Sequence, residues 1–226
     1  MWLWNRNRVM AIALAASALL ARSVAATTDW PMYGRDLQHS FTNRDSLITS
    51  ANAAFLGPAW SFTTGDAVSA SPAIVAGVVY VGAWDGFFYA LDAATGALKW
   101  MFQVDCDPAV QPIPAQCPGG PSAPQDRVET DGGLITSSAA VVDGKVYFGG
   151  GKTMYCLNAA DGSLVWKKVM CGNPEVPNCE ADDNDPTRIF SSPAVFKHKV
   201  FFGVTPSDPT KIRSGVSANT VTGDSR

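Results

Sequence analysis

Five cysteines are the first residues whose type and spacing could do chemistry. Cys106 and Cys117 bracket the proline-rich stretch DPAVQPIPAQ, and Cys171 and Cys179 bracket GNPEVPN. In an oxidising compartment each pair would staple its own loop, because closing a loop lowers the entropy of the unfolded chain. Zinc is the rival chemistry, but neither pair has the two-residue spacing of a zinc knuckle and no histidine lies nearby. Cys156, in the apolar run from Met154 to Leu157, reads as a buried small hydrophobe with a free thiol. Glu180-Ala181-Asp182-Asp183-Asn184-Asp185 concentrates oxygen ligands that could hold calcium. It lacks the glycine and terminal glutamate of an EF-hand loop, so a solvated acidic loop is the simpler reading. His39 and His198 lie far apart in sequence with no visible Ser, Cys or Asp partner, which leaves hydrolase chemistry without a constellation.

These residues are carried by a repeat. SPAIVAGVVYVGAWDGFFYALDAATGALKW, from Ser71 to Trp100, superimposes on SAAVVDGKVYFGGGKTMYCLNAADGSLVW, from Ser138 to Trp166. Gly77 falls on Gly144, Tyr80 on Tyr147, Gly82 on Gly149, Leu91 on Leu157, Gly96 on Gly162 and Trp100 on Trp166. A third copy starts at Ser192-Pro193-Ala194-Val195 and runs through Lys199 to Gly203 before the pattern fades. Each copy alternates short β-branched and aromatic runs with turn residues, which predicts consecutive antiparallel strands. In the first copy these are Ala73 to Val75, Val78 to Val81, Phe87 to Leu91 and Leu98 to Phe102. The connection Asp92-Ala93-Ala94-Thr95-Gly96 offers a carboxylate to cap backbone N–H groups and a glycine for positive φ. Asn158 to Gly162 repeats it. Ala59-Trp60-Ser61-Phe62 looks like the outer strand of a blade whose other strands come from elsewhere.

The ends bound the compartment. Arg6 and Arg8, the apolar run from Val9 to Leu20 and Ser23-Val24-Ala25-Ala26 make residues 1–26 a predicted secretory signal, too short in its apolar run for a membrane span. Thr27, Thr28 and Asp29 follow, so no cysteine is placed for a lipid anchor. The expected product is periplasmic or secreted. Without Arg6, Arg8 and Arg22, 14 basic residues face 20 acidic ones, about −6 net, which disfavours nucleic acid.

The two copies resemble the quinoprotein repeats of pyrroloquinoline-quinone (PQQ) dehydrogenases and their non-enzymatic relatives. Ala90 to Trp100 matches the tryptophan-docking pattern Ala-x-Asp-x-x-x-Gly-x-x-x-Trp; the second copy has Cys156 and Asn158 in it but keeps Gly162 and Trp166. Asp29-Trp30-Pro31-Met32-Tyr33-Gly34-Arg35-Asp36 is similar to the mature N-terminus of polyvinyl-alcohol-dehydrogenase-type quinoproteins. The resemblance implies an all-β fold, a partial β-propeller of about three four-stranded antiparallel blades over residues 27–205, with 206–226 as an irregular tail. It implies that Trp100 packs on the neighbouring blade while Asp92 and Gly96 fix the turn. In the enzymes it implies, PQQ and calcium sit on the axis, held by a Glu, an Asn and an Asp, with the Asp as catalytic base. The loops where that Glu would fall read Gly82-Ala83-Trp84-Asp85 and Gly149-Gly150-Gly151-Lys152, without a glutamate.

On the face that carries PQQ in that family the resemblance places Trp84, Asp85, Thr136 and Lys152, with Arg127 and Glu129 just upstream of Thr136. Trp84 would stack on the quinone and Lys152 would meet a carboxylate; turn and rim roles are the alternative. The expectation is the N-terminal part of an exported PQQ-dependent alcohol dehydrogenase, inactive alone, whose partners are the remaining blades of its own propeller and an alcohol substrate. The alternative is a non-enzymatic scaffold resembling the outer-membrane assembly propeller. An open arc should expose strand edges at Trp60 and at the third blade and associate through them.

Overall fold

The computed structural model describes residues 29–43, 46–104, 135–170, 187–205 and the backbone of 219–222. Each sheet starts from a two-residue turn in left-handed backbone: Ala76 and Gly77 (φ 50° and 75°), Asp143 and Gly144 (49° and 71°), Lys197 and His198 (46° and 62°). Such turns follow the twist of a tight hairpin and force the flanking runs to pair. The first sheet is β1 (Ala73–Val75), β2 (Val78–Gly82), β3 (Phe87–Asp92) and β4 (Leu98–Gln103), in that spatial order. The second repeats it with β5 (Ala140–Val142), β6 (Lys145–Gly150), β7 (Thr153–Asn158) and β8 (Leu164–Val169). The third contains β9 (Ala194–Phe196), β10 (Lys199–Phe202) and β11 (Asn219–Thr222), all pairs antiparallel. A short 3-10 turn, Ala53–Phe55, precedes them.

The sheets stack face to face. Tyr80, Phe88 and Ala90 of the first meet Val146, Phe148, Tyr155 and Leu157 of the second, with Phe88 and Phe148 stacked at 4.0 Å between ring centroids. Met154 of the second packs with Val200 and Phe202 of the third. The first strands β1, β5 and β9 approach one another and mark the inner side, while β4 and β8 form the outer rim.

Two repeated contacts set the blade spacing. At the turn end, a Cβ added at Gly162 would lie 2.6 Å from Trp100 Cε3, and one at Gly96 would lie 2.7 Å from Trp60 Cδ2. The indole Nε1–H of Trp100 donates to Ala159 C=O at 3.1 Å, and that of Trp60 to Ala93 C=O at 3.0 Å. At the other end, Ile135 covers Gly82 and Ile189 covers Gly149, where an added Cβ would come within 2.1 and 2.4 Å. The first blade is therefore clamped to the second at both ends of its strands.

Two expectations need correction. The segment 59–62 forms no strand: it has no ladder, although Trp60 and Phe62 cover the outward face of the first blade. Its tryptophan docks as an outer-strand tryptophan would, so side-chain packing survives without backbone pairing. The tail expected to be irregular contributes β11, which pairs Thr222 with Lys199 and Asn219 with Phe202. The physical reason is the free edge of β10, which accepts a segment containing the β-branched Thr220, Val221 and Thr222.

Candidate functional site

The candidate face lies where β2 and β6 end and the lead-ins to β1, β5 and β9 begin. The loop after β2 is held there by a set of hydrogen bonds. Asp85 Oδ2 accepts the Gly65 N–H at 2.7 Å and the Tyr89 hydroxyl at 2.5 Å, while Oδ1 accepts the Phe87 N–H at 2.9 Å. Burial, followed by the bond to Asp85, pushes the Tyr89 hydroxyl far above its ordinary range, so it stays a donor. Asp85 thus ties the segment around Gly65 to the blade. Trp84 is fixed by two further bonds, its N–H to Ala67 C=O at 2.9 Å and its Nε1–H to Ser69 Oγ at 2.8 Å, and keeps 38% of its surface exposed.

Ser69, Thr136 and Phe190 hold matching places in the three lead-ins, each four residues before its first strand begins. Thr136 is half-buried, and Phe190 is 57% exposed. Lys152 is half-buried in the loop after β6, where its C=O accepts the Met170 N–H at 2.9 Å. Trp84, Asp85, Thr136 and Lys152 therefore share one face. Arg127, Glu129, Cys106, Cys117, Cys171, Cys179 and the acidic run 180–185 lie outside the described residues. Cys156 is buried with a free thiol.

At the opposite end of the strands, Asp92 Oδ1 accepts from the N–H groups of Ala94 and Thr95 and from the Thr95 hydroxyl. Those bonds hold the Asp92 carboxyl below its ordinary range. In the second copy the work is divided: Asn158 Oδ1 accepts the Ala160 N–H, and Asp161 Oδ1 accepts the N–H and hydroxyl of Ser163. Gly96 and Gly162, at φ 73° and 75°, close the two turns. Trp166 lies against Tyr147 at 6.1 Å, as Trp100 lies against Tyr80 at 5.9 Å.

Sequence reasoning missed the serines beneath this face. Ser138 Oγ accepts the Ser71 N–H at 2.9 Å, and Ser137 Oγ donates to Ser191 C=O at 2.9 Å, so buried hydroxyls stitch blade one to two and two to three. The signal was present as Ser137-Ser138 and Ser191-Ser192, at the head of successive copies.

Calcium does not fit what is described here. Among the described residues no three His, Cys, Asp or Glu side chains converge, and Asp85 is already engaged by three donors. A planar group such as PQQ fits in part: Trp84 offers a ring held in one orientation, beside the hydroxyl-bearing lead-ins.

A family model described as "PQQ: Glucose/ethanol/alcohol dehydrogenase, beta-propeller domain" matches residues 30–220. The chain belongs to this PQQ β-propeller family. It is similar to a quinohemoprotein alcohol dehydrogenase of Comamonas testosteroni, at 29% identity over 80% of this chain and 22% of that protein. It is 29% identical to a 1-butanol dehydrogenase (cytochrome c) of Thauera butanivorans, over 88% of this chain and 27% of that one. The crystal structure of the Comamonas testosteroni enzyme superimposes with a TM-score of 0.57 at 25% identity, covering 79% of this chain and 23% of that chain. The PQQ-propeller chain thus spans about a quarter of the length of these relatives.

Proposed function

We propose that this chain supplies the first blades of an exported PQQ-dependent alcohol dehydrogenase of the polyvinyl-alcohol type and is inactive by itself. The observation that supports this reading is the family match over residues 30–220, combined with coverage of only 22% and 27% of the alcohol-oxidising relatives. In such an enzyme PQQ would supply the two-electron acceptor for alcohol oxidation, and calcium held by residues of other blades would supply a Lewis acid. The contribution of this chain would be to present Trp84 to the flat cofactor, with Thr136 and Lys152 on the same face and Arg127 in the preceding segment. The expected base and metal ligands would come from further blades of the same propeller.

Purified mature chain, supplied with PQQ, calcium, an alcohol and a dye acceptor, is expected to show no turnover; activity above background overturns the reading of an incomplete site. The DNA following the Arg226 codon is expected to encode further repeats carrying the Asn and Asp ligands in the expected blades, and repeats without them would favour a binding scaffold. Export is tested separately by N-terminal sequencing of protein from the periplasm and medium, where the first residue should be Thr27. A chain retained in the cytoplasm with residues 1–26 intact would refute that part.

A further inference from the structure

The innermost edge of each sheet is built to accept one more strand. In a hairpin closed by a two-residue turn, Val75 and Val78 form the closing pair, so the N–H and C=O of Ile74 point away from β2. Val141 holds the same register in β5. Since β1 and β5 lie on the inner side, these groups face the propeller axis.

Three residues from the start of the described chain occupy that edge. Trp30 N–H donates to Ile74 C=O at 2.7 Å, and Ile74 N–H donates to Trp30 C=O at 2.9 Å. Pro31 C=O accepts the Val141 N–H at 2.7 Å, on the neighbouring blade. Asp29 Oδ1 accepts the Ala76 N–H, in the left-handed turn, at 3.1 Å. The residue types match the demands of each position. Position 30 uses both backbone groups, position 31 uses only a carbonyl and so tolerates proline, and position 29 uses a carboxylate.

We propose that the axial edge shared by β1 and β5 is a strand-addition site selective for an extended Asp-Trp-Pro segment, and that it exchanges its resident segment for the same segment of a second copy. Residues 32–59, about thirty in number, join the resident segment to the docked Trp60, and Leu47 at 88% and Phe55 at 86% are among the exposed side chains along them. A tether of that length holds its end at an effective concentration on the order of millimolar, so a second copy competes once the resident segment is weakened. The occupant is identical in sequence, so the exchange needs no new complementarity.

The test uses the full mature chain and a fluorescein-labelled peptide, Thr-Thr-Asp-Trp-Pro-Met, read by anisotropy. Trp30→Pro removes the resident N–H and should leave a site that binds the peptide at least about tenfold more tightly than wild type does. A peptide N-methylated at the tryptophan nitrogen, or carrying Ala for Asp, should bind about tenfold more weakly. A variant that keeps its near-ultraviolet circular dichroism yet binds no peptide, or binds all three alike, overturns the proposal. Should that variant fail to fold, Asp29→Ala and hydrogen exchange decide. The Ile74, Ala76 and Val141 amides of the wild type should exchange together by local opening, faster than the β2–β3 ladder, and Asp29→Ala should speed Ile74 and Val141 about tenfold. Exchange of those amides only with global unfolding, or no change in the variant, overturns it.

Discussion

The turn end and the loop end of the first two blades differ in how closely they repeat. At the turn end, Trp60 lies on Gly96 and Trp100 on Gly162, with matching indole bonds to Ala93 and Ala159. At the loop end, Trp84-Asp85-Gly86, with its three-donor carboxylate, stands where the second blade has Gly150-Gly151-Lys152. Repetition at one end follows from packing: every blade must meet its neighbour at the same spacing, so the same residue types recur. Divergence at the other end follows from the absence of that demand in the loops themselves, which lie beyond the Ile135–Gly82 and Ile189–Gly149 contacts. Loops of that kind are where a ring of similar blades can hold an asymmetric ligand.

The largest expected effect breaks the repeated end. Gly162→Ala places a Cβ 2.6 Å from Trp100 Cε3 in a residue at φ 75°, whereas Gly144→Ala at φ 71° meets nothing within 4 Å. Both carry the backbone cost of about 1 kcal/mol. Only the first adds overpacking, of about 1–3 kcal/mol more. Urea unfolding should show Gly162→Ala well below Gly144→Ala in midpoint; equal midpoints would mean that the docking contact does not govern blade spacing.

Next in size is the loop end. Asp85→Ala leaves the buried Tyr89 hydroxyl and the Gly65 N–H without their acceptor, at a cost of about 1–3 kcal/mol. Trp84 fluorescence should then respond to quencher more strongly, because the segment that carries its Ser69 partner is released. An unchanged unfolding midpoint would show that Asp85 is dispensable to the fold and free for another role.

The contrast also explains what the sequence disclosed. Strand positions and blade stacking were legible because Gly96, Trp100, Gly162 and Trp166 are forced to recur, and recurrence is visible in a single chain. Segment 59–62 was misread because Trp60 carries the docking signal of an outer strand, while pairing depends on a partner strand that sequence alone does not place beside it. β11 was missed because Asn219–Thr222 carries nothing of the pattern shared by Tyr89 to Asp92 and Tyr155 to Asn158, and its pairing depends on the edge of β10. The candidate site was legible only as a shared face. That Asp85 is consumed by Gly65, Phe87 and Tyr89 depends on a partner twenty residues away along the chain, which no local pattern announces.

A smaller effect separates the two docking turns by acidity. Hydrogen bonds from Thr95 lower the Asp92 carboxyl from its ordinary value of 3.8 in the folded chain. A lowered folded value means that its contribution is full above the unfolded value and is lost as pH falls through the folded one. Asn158, its counterpart, does not titrate, although Asp161 is lowered by Ser163 in the same way. Asp92→Asn should therefore flatten the fall in urea midpoint below about pH 4, with Asp161→Asn adding to it. An acid slope identical to that of wild type in both variants would place the acid sensitivity elsewhere.

The smallest expected effect lies at Cys156, whose place in the first blade is taken by Ala90; each is paired across the sheet with its blade's tryptophan. Both are buried, so the first blade already demonstrates that this position tolerates a methyl group. Cys156→Ala should cost about 1 kcal/mol, the price of a small cavity beside Tyr147 and Trp166. Burial pushes the thiol up to about 11 from an ordinary 9.0. The unfolded thiol therefore ionises first as pH rises, and the associated stability is lost between about 9 and about 11. The alanine variant should lack that alkaline decline, and native wild type at pH 8 should react with iodoacetamide only as fast as it opens. Reaction at the rate of a free exposed thiol would show that the second blade does not close over Cys156 as the first closes over Ala90.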